Sequence, residues 1–232
     1  MFDVQRKRLL SAPDEAHDAY YQTEPFTGPS AYFHLKSLEA SSRQDFEQFA
    51  ELSYATLAAW GMHRMGPGGA KMRNFDDFRA SLLNVWPSAM CLQKKLPGNL
   101  TANEWNALKT IFCQIQCMAS HTSLVGNSKV MAHLLPNLIP PVDRQHTLRF
   151  LFKKGTIKNE IELEWRTLQQ ILKEFFYPIL ESQEFRTRAK QWLADSRWAR
   201  WDTSELKIVD NLIVGFVRMS RRRQRRKRAK AS

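Results

Sequence analysis

Apolar residues in this chain of 232 recur at helical spacing along nearly its whole length, a pattern that favours packed helices over any sheet. Phe46, Phe49, Leu52, Leu57 and Trp60 keep that spacing up to Gly61. A shorter run covers Phe75 to Val85. Thr101 and Glu104 stand at i, i+3, the relation of a capping box, in which each side chain satisfies a backbone amide of the helix start. The helix they open carries Trp105, Leu108, Ile111, Phe112, Ile115 and Met118 on one apolar stripe. Further helices are expected over Glu160 to Leu180 and Glu205 to Met219. In the second, Asp202 and Glu205 repeat the capping spacing ahead of Leu206, Ile208, Val209, Leu212 and Ile213. Only Leu151 to Ile161 carries a weak strand pattern, and no internal repeat is present. The expected fold is all-α.

The first 43 residues hold Pro13, Pro25, Gly28 and Pro29 and read as an irregular segment, with Ala31 to Leu38 ordered against the body. Residues 44–217 read as one helical domain and 218–232 as a basic, disordered tail. From Arg218 to Lys230 there are nine Lys or Arg and no acid. Eight of the 35 basic residues lie in Arg221 to Lys230, so most of the formal charge of +12 belongs to the tail. Such a tail gains affinity for a polyanion by counterion release and steers association, but it reads no sequence and performs no chemistry. Nucleic acid is the expected partner. An anionic membrane surface, an address signal and a plain solvated tail are other uses of the same charge.

A hydrophobic content of 43% suffices for one good core or for two small lobes around a cleft. Three cysteines, an odd number, do not form the framework of a disulfide-built scaffold, so a reducing cytoplasm is expected. Cys113 and Cys117 stand at i, i+4 on an apolar helix, but no Cys or His cluster completes a metal site, and buried thiols are expected instead. Neither a metal nor a cofactor is called for. Arg6, Lys7 and Arg8, followed by Asp14 and Glu15, leave no apolar core for a signal peptide, and no stretch of 18 apolar residues follows. A monomer that does not enter a membrane is expected.

The segment that carries the functional argument runs from Leu124 to His146. Its residues read as a helix, a tight turn at Gly126, a short helix holding Val130, Met131, Leu134 and Leu135, a stop at Pro136, an extended linker through Pro140 and Pro141, and a new helix. Asn127 or Ser128 is placed to cap the short helix, and Asp143 stands where the N-cap of the new one belongs. A turn with exposed amides at a helix N-terminus can hold a DNA phosphate, with a downstream carboxylate facing the sugar of that nucleotide.

This arrangement resembles the helix-hairpin-helix base-excision DNA glycosylases. Leu124, Gly126 and Ala132 match their hairpin, and Val142-Asp143 falls where their catalytic aspartate starts a helix. Ser128 stands in place of the second glycine, and Val130 stands where the bifunctional members carry a nucleophilic lysine, with Lys129 one position earlier. The resemblance implies a two-lobed helical bundle with a hairpin element and a cleft between lobes. It also implies hydrolysis of the N-glycosidic bond of a base flipped from double-stranded DNA, leaving an abasic site. Asp143 would then stabilise the positive charge that builds on the sugar and orient water. A monofunctional enzyme is expected, with Lys129 as the alternative nucleophile. Gly126, Asn127, Ser128 and Lys129 would clamp phosphate, joined by Arg144, Arg149 and the tail residues Arg221, Arg222 and Arg223. The substrate is a damaged base or, given the altered hairpin, a heavily modified base of viral DNA in antiviral defence.

Each of these residues also has an ordinary reading. Asp143 is then a plain N-cap, Lys129 a phosphate contact, and Arg144 and Arg149 solvated helix faces. Trp60, His63 and Arg64, with the Gly66 to Gly69 loop, Lys71 and Arg73 beyond them, line a base pocket or form a helix-to-helix loop around a buried indole. The loop is no P-loop, because no Gly-Lys-Ser/Thr follows. Trp192, Trp198 and Trp201, interleaved with Arg197 and Arg200, suit stacking on unpaired bases or docking of the last helix. The rival function is a helical module that binds DNA or RNA without catalysis. A metal-dependent nuclease lacks the clustered carboxylates it needs.

Overall fold

The computed structural model describes residues 1–22, 28–63, 72–120 and 122–229, with side chains up to Arg222 in the last helix. In chain order the helices are α1 (Asp3–Leu10), α2 (Pro13–Tyr21), α3 (Pro29–Ser42), α4 (Phe46–Ala59), α5 (Phe75–Leu92), α6 (Ala102–Gln114), α7 (Leu124–Leu134), α8 (Arg149–Phe152), α9 (Ile161–Ile171), α10 (Tyr177–Glu181), α11 (Gln183–Ala194) and α12 (Glu205–Ala229). Wider π-type turns over Arg144–Leu148 and Leu172–Phe176 lead into α8 and α10. The described residues hold no strand, only an isolated antiparallel bridge between Met72 and Met118. The weak strand pattern at Leu151 to Ile161 covers the end of α8, the loop after it and the first residue of α9. No helix among the described residues is long and apolar enough to cross a membrane.

The chain divides into two compact units. The first joins Met1–Pro25, Asp143–Thr156 and Glu174–Ser232, and the second joins Phe26–Val142 and Ile157–Lys173. In the second unit α3 to α7 and α9 bury Phe49, Leu57, Phe78, Leu82, Leu108, Phe112, Met131 and Leu168. The helix starts follow local chemistry. Asp45 caps α4 through Gln48 N, Asn74 caps α5 through Asp77 N, and Thr101 with Glu104 closes the reciprocal capping box of α6. α5 runs past the expected end at Val85 because Ala89 and Leu92 continue its buried stripe, with Pro87 on the exposed side. α6 stops at Gln114, so Ile115 and Met118 are buried beyond the helix rather than on its stripe.

Both ends of the chain differ from the sequence reading. Within residues 1–22 and 28–43 the chain is helical over α1, α2 and α3 rather than irregular, and Pro25 lies outside the described residues. Pro13 and Pro29 occupy first-turn positions of α2 and α3, where a missing N–H costs no hydrogen bond and a fixed φ favours the helix. Phe2 is buried against Phe152 and Phe175, with ring centroids 5.3 and 6.3 Å away. The basic stretch is not a separate tail either, since α12 continues through it to Ala229. Arg, Lys and Gln are good helix formers, and a helix already nucleated on a core extends through them without a new nucleus.

α12 packs on α2 at a separation set by one residue. A Cβ on Gly215 would stand 1.8 Å from the Ala16 carbonyl oxygen and 3.0 Å from Tyr20 N. Both obstacles are backbone, so neither can rotate away. Gly215→Ala is therefore expected to cost about 3 kcal/mol or more, at or beyond the upper end of overpacking, readable as a lowered denaturation midpoint. A polar chain lies inside the same unit. His17 Nε2 meets Asp202 Oδ2 at 2.7 Å, Asn211 Nδ2 donates to Asp202 Oδ1 at 2.8 Å, and Lys207 Nζ donates to both Asn211 Oδ1 and Asp210 Oδ2. Asp202 thus serves His17 and Asn211, and the capping expected of it falls to Ser204, whose Oγ accepts from Lys207 N.

Candidate nucleic-acid interface and carboxylate

The residues expected to form a hairpin lie inside α7, an unbroken helix that starts at Leu124. Gly126 makes no turn. A Cβ there would meet Cys117 Sγ at 2.3 Å, so the glycine serves close packing against the chain after α6. Asn127 is buried as well. Its Nδ2 donates to the Phe112 and Ile115 carbonyls at 2.8 and 2.9 Å, and its Oδ1 accepts from Cys117 Sγ at 2.9 Å. Ser128, fully buried, uses Oγ to donate to Val125 O and to accept from Val142 N at 3.1 Å, tying the extended linker down. Neither Asn127 nor Ser128 caps α7. The amides of Ser123 and Leu124 at the helix start donate to Glu164 Oε2 at 2.7 and 3.3 Å. A buried side chain of the chain itself, only 1% exposed as a residue, thus stands where a DNA phosphate was expected. Gly126, Asn127 and Ser128 are corrected from phosphate clamp to core.

Burial also decides the thiols. Loss of water pushes the Cys117 thiol up to about 12, so it stays protonated and inert. Cys91 is exposed. A thiol reagent applied to the folded protein is expected to label Cys91 at least tenfold faster than Cys117, and equal labelling would contradict the placement of Cys117. Among the described residues no group of three His, Cys, Asp or Glu could hold a metal ion.

Asp143 is the N-cap the sequence pointed to, at the start of the turn Arg144–Leu148 that leads into α8. Oδ1 accepts from His146 N at 2.6 Å, Oδ2 meets His146 Nδ1 at 2.8 Å, and Asp143 N donates to Thr147 Oγ1 at 3.3 Å. A carboxylate only accepts, so His146 carries a proton on Nδ1 in either charge state. The Asp143 side chain remains 30% exposed, so solvent reaches a carboxylate held in one orientation. Deeper in the unit, burial pushes the Asp210 carboxyl up against the opposing pull of Lys207, and Asp143 raises it further.

The same unit brings the basic helix to this turn. Arg221 Nη2 donates to the Gln145 carbonyl at 3.3 Å, and α12 packs along Arg144–Leu148. Arg144, Arg149, Arg221 and Arg222 are all exposed. The side chain of Arg223 lies outside the described residues. No local signal in the sequence joined the tail to Asp143, because the contact depends on how α12 is set against the turn.

In the second unit two groups named separately from the sequence come together. Lys129 Nζ lies 5.5 Å from the Trp60 ring centroid and 3.6 Å from Met62 Sδ. Behind them His133 Nδ1 reaches the Lys129 carbonyl at 2.7 Å and His133 Nε2 meets His34 Nδ1 at 2.8 Å. A carbonyl cannot donate, so His133 carries a proton on Nδ1. His63 is exposed and its Nδ1 meets the Ala58 carbonyl at 2.6 Å. Arg64, Gly66 to Gly69 and Lys71 lie outside the described residues. Trp192 and Trp201 are buried, and Trp192 stacks on His17 with centroids 4.3 Å apart and planes 4° from parallel. The tryptophan cluster docks helices rather than presenting a stacking platform. No family model, curated protein or solved structure matches the chain.

Proposed function

We propose that this chain binds double-stranded DNA through the basic face of its first unit and acts there as a DNA glycosylase, with Asp143 as the catalytic carboxylate. The observation that carries the reading is the docking of Arg221 on Gln145, which sets the beginning of the basic stretch of α12 beside the turn that Asp143 caps. Cations at that position bring a phosphate backbone to an oriented, solvent-reachable carboxylate. An ionised Asp143 near C1′ of an extruded nucleotide would stabilise the oxocarbenium-like transition state as the glycosidic bond breaks, and the departing base would be replaced by water. The hairpin clamp has no part in this account, since Gly126, Asn127 and Ser128 are core. Lys129, half-buried beside Trp60, remains the alternative nucleophile.

A second reading, a helical module that binds DNA or RNA without catalysis, is favoured by one feature. Both Asp143 oxygens already accept hydrogen bonds from His146, as a purely structural cap would. Measuring duplex affinity and abasic-site formation on the same preparation separates the two. Binding with excision supports the enzyme, binding without product from any substrate supports the module, and no binding overturns both.

A further inference from the structure

We infer that the first unit carries a second phosphate-binding limb, independent of the basic run in α12 and built from the N-terminal helix α1 and the turn after α8. The inference rests on the proposed binding of duplex DNA to this unit. Arg8 Cζ stands 4.9 Å from the centroid of the Phe216 ring, and that ring lies 5.5 Å from Phe150. Gln5 Nε2 donates to the Leu151 carbonyl at 3.2 Å. α1 is thereby fixed beside α8 and the middle of α12, and its exposed Lys7 and Arg8 join their surface. On the far side of α8, Lys153 takes the left-handed backbone with φ 61°, and the chain folds back so closely that a Cβ on Gly155 would stand 2.8 Å from the Arg144 carbonyl. That turn presents Lys153 and Lys154 to solvent next to the helix that begins at Asp143.

The four cations of this surface are not neutralised by neighbouring acids, in contrast to several cations of the second unit. In the second unit Lys36 and Arg43 pair with Glu39, Arg79 with Glu47, and Lys109 with Glu162. Among the described residues, Lys7, Arg8, Lys153 and Lys154 form no ion pair with an acid. Unpaired, exposed cations drawn from distant parts of the chain onto one unit suit a polyanion with regularly spaced charges, and duplex DNA is the occupant we assign.

The test uses the full chain with its basic helix intact. Lys7→Ala, Arg8→Ala, Lys153→Ala and Lys154→Ala are combined, and affinity for a duplex of random sequence is measured against salt concentration. A control combines Lys36→Ala, Arg43→Ala, Arg79→Ala and Lys109→Ala, which removes the same number of cations from acid-paired positions. The limb variant is expected to lower the slope of log K against log salt by about 2 to 3, close to ~0.9 per phosphate contact, while the control stays near wild type. An equal fall in both variants would reduce the effect to net charge and overturn the limb, as would an unchanged slope in the limb variant. Tighter binding to phosphatidylserine vesicles than to DNA would also overturn it in favour of a membrane surface. If the wild type itself shows no salt-dependent DNA binding, the proposed function fails; if deleting 221–232 lowers the slope and the limb variant does not, only this inference fails.

Discussion

Asp143→Asn is expected to lower base excision by on the order of 10³, the scale of removing a preorganised electrostatic group from a developing charge, while duplex affinity stays the same or rises slightly. The fold survives because the replacement keeps the cap. The side-chain oxygen of the introduced amide still accepts from His146 N, the bond that closes the helix start at 2.6 Å in the wild type. The amide nitrogen instead faces His146 Nδ1, so the imidazole must change tautomer or turn away from its 2.8 Å contact. Asp143→Ala is the companion variant. It removes the cap as well and should cost about 1 kcal/mol of stability, whereas Asp143→Asn should cost less. Equal excision by wild type and Asp143→Asn would remove Asp143 from the chemistry and leave it as a cap.

Deleting residues 221–232 is expected to weaken duplex binding by on the order of 10² at physiological salt and to flatten the salt dependence by about 4, if roughly half of the eight cations removed contact phosphate. The body should keep its stability, because the buried stretch of α12, Leu206 to Val214, ends before the deletion. Within the folded unit the deletion removes the hydrogen bond from Arg221 to the Gln145 carbonyl, which is made at the exposed surface. A salt slope identical to wild type would show that the basic stretch does not touch DNA.

Features set by neighbours in sequence were legible before the structure. The capping box of Thr101 and Glu104 closes within one turn, and Asp143 after Pro140 and Pro141 could be read as a cap because proline restricts the approach to it. Features decided by distant partners were not. Gly126 suits a tight turn and a close approach equally well, and only Cys117 across the core decides for the second. The amides at the start of α7 suggest a phosphate because nothing nearby in sequence satisfies them, whereas Glu164 does so from α9. The same limit hid the meeting of Trp60 with Lys129 and of Arg221 with Gln145. Pro13 and Pro29 mislead for another reason. A proline that ends one helix and a proline that begins the next look alike until the following residues are seen to pack, as Ala16 and Tyr20 do in α2.

The most direct test of the account incubates the purified protein with duplexes carrying oxidised, alkylated or deaminated bases and with phage genomes of modified base composition, then assays abasic sites before and after alkali. The account predicts abasic sites from at least one of these DNAs, with strand breaks appearing only after alkali. Breaks without alkali would move the chemistry from water to Lys129, and no product from any DNA, alongside tight salt-sensitive binding, would contradict the glycosylase and leave a DNA-binding module.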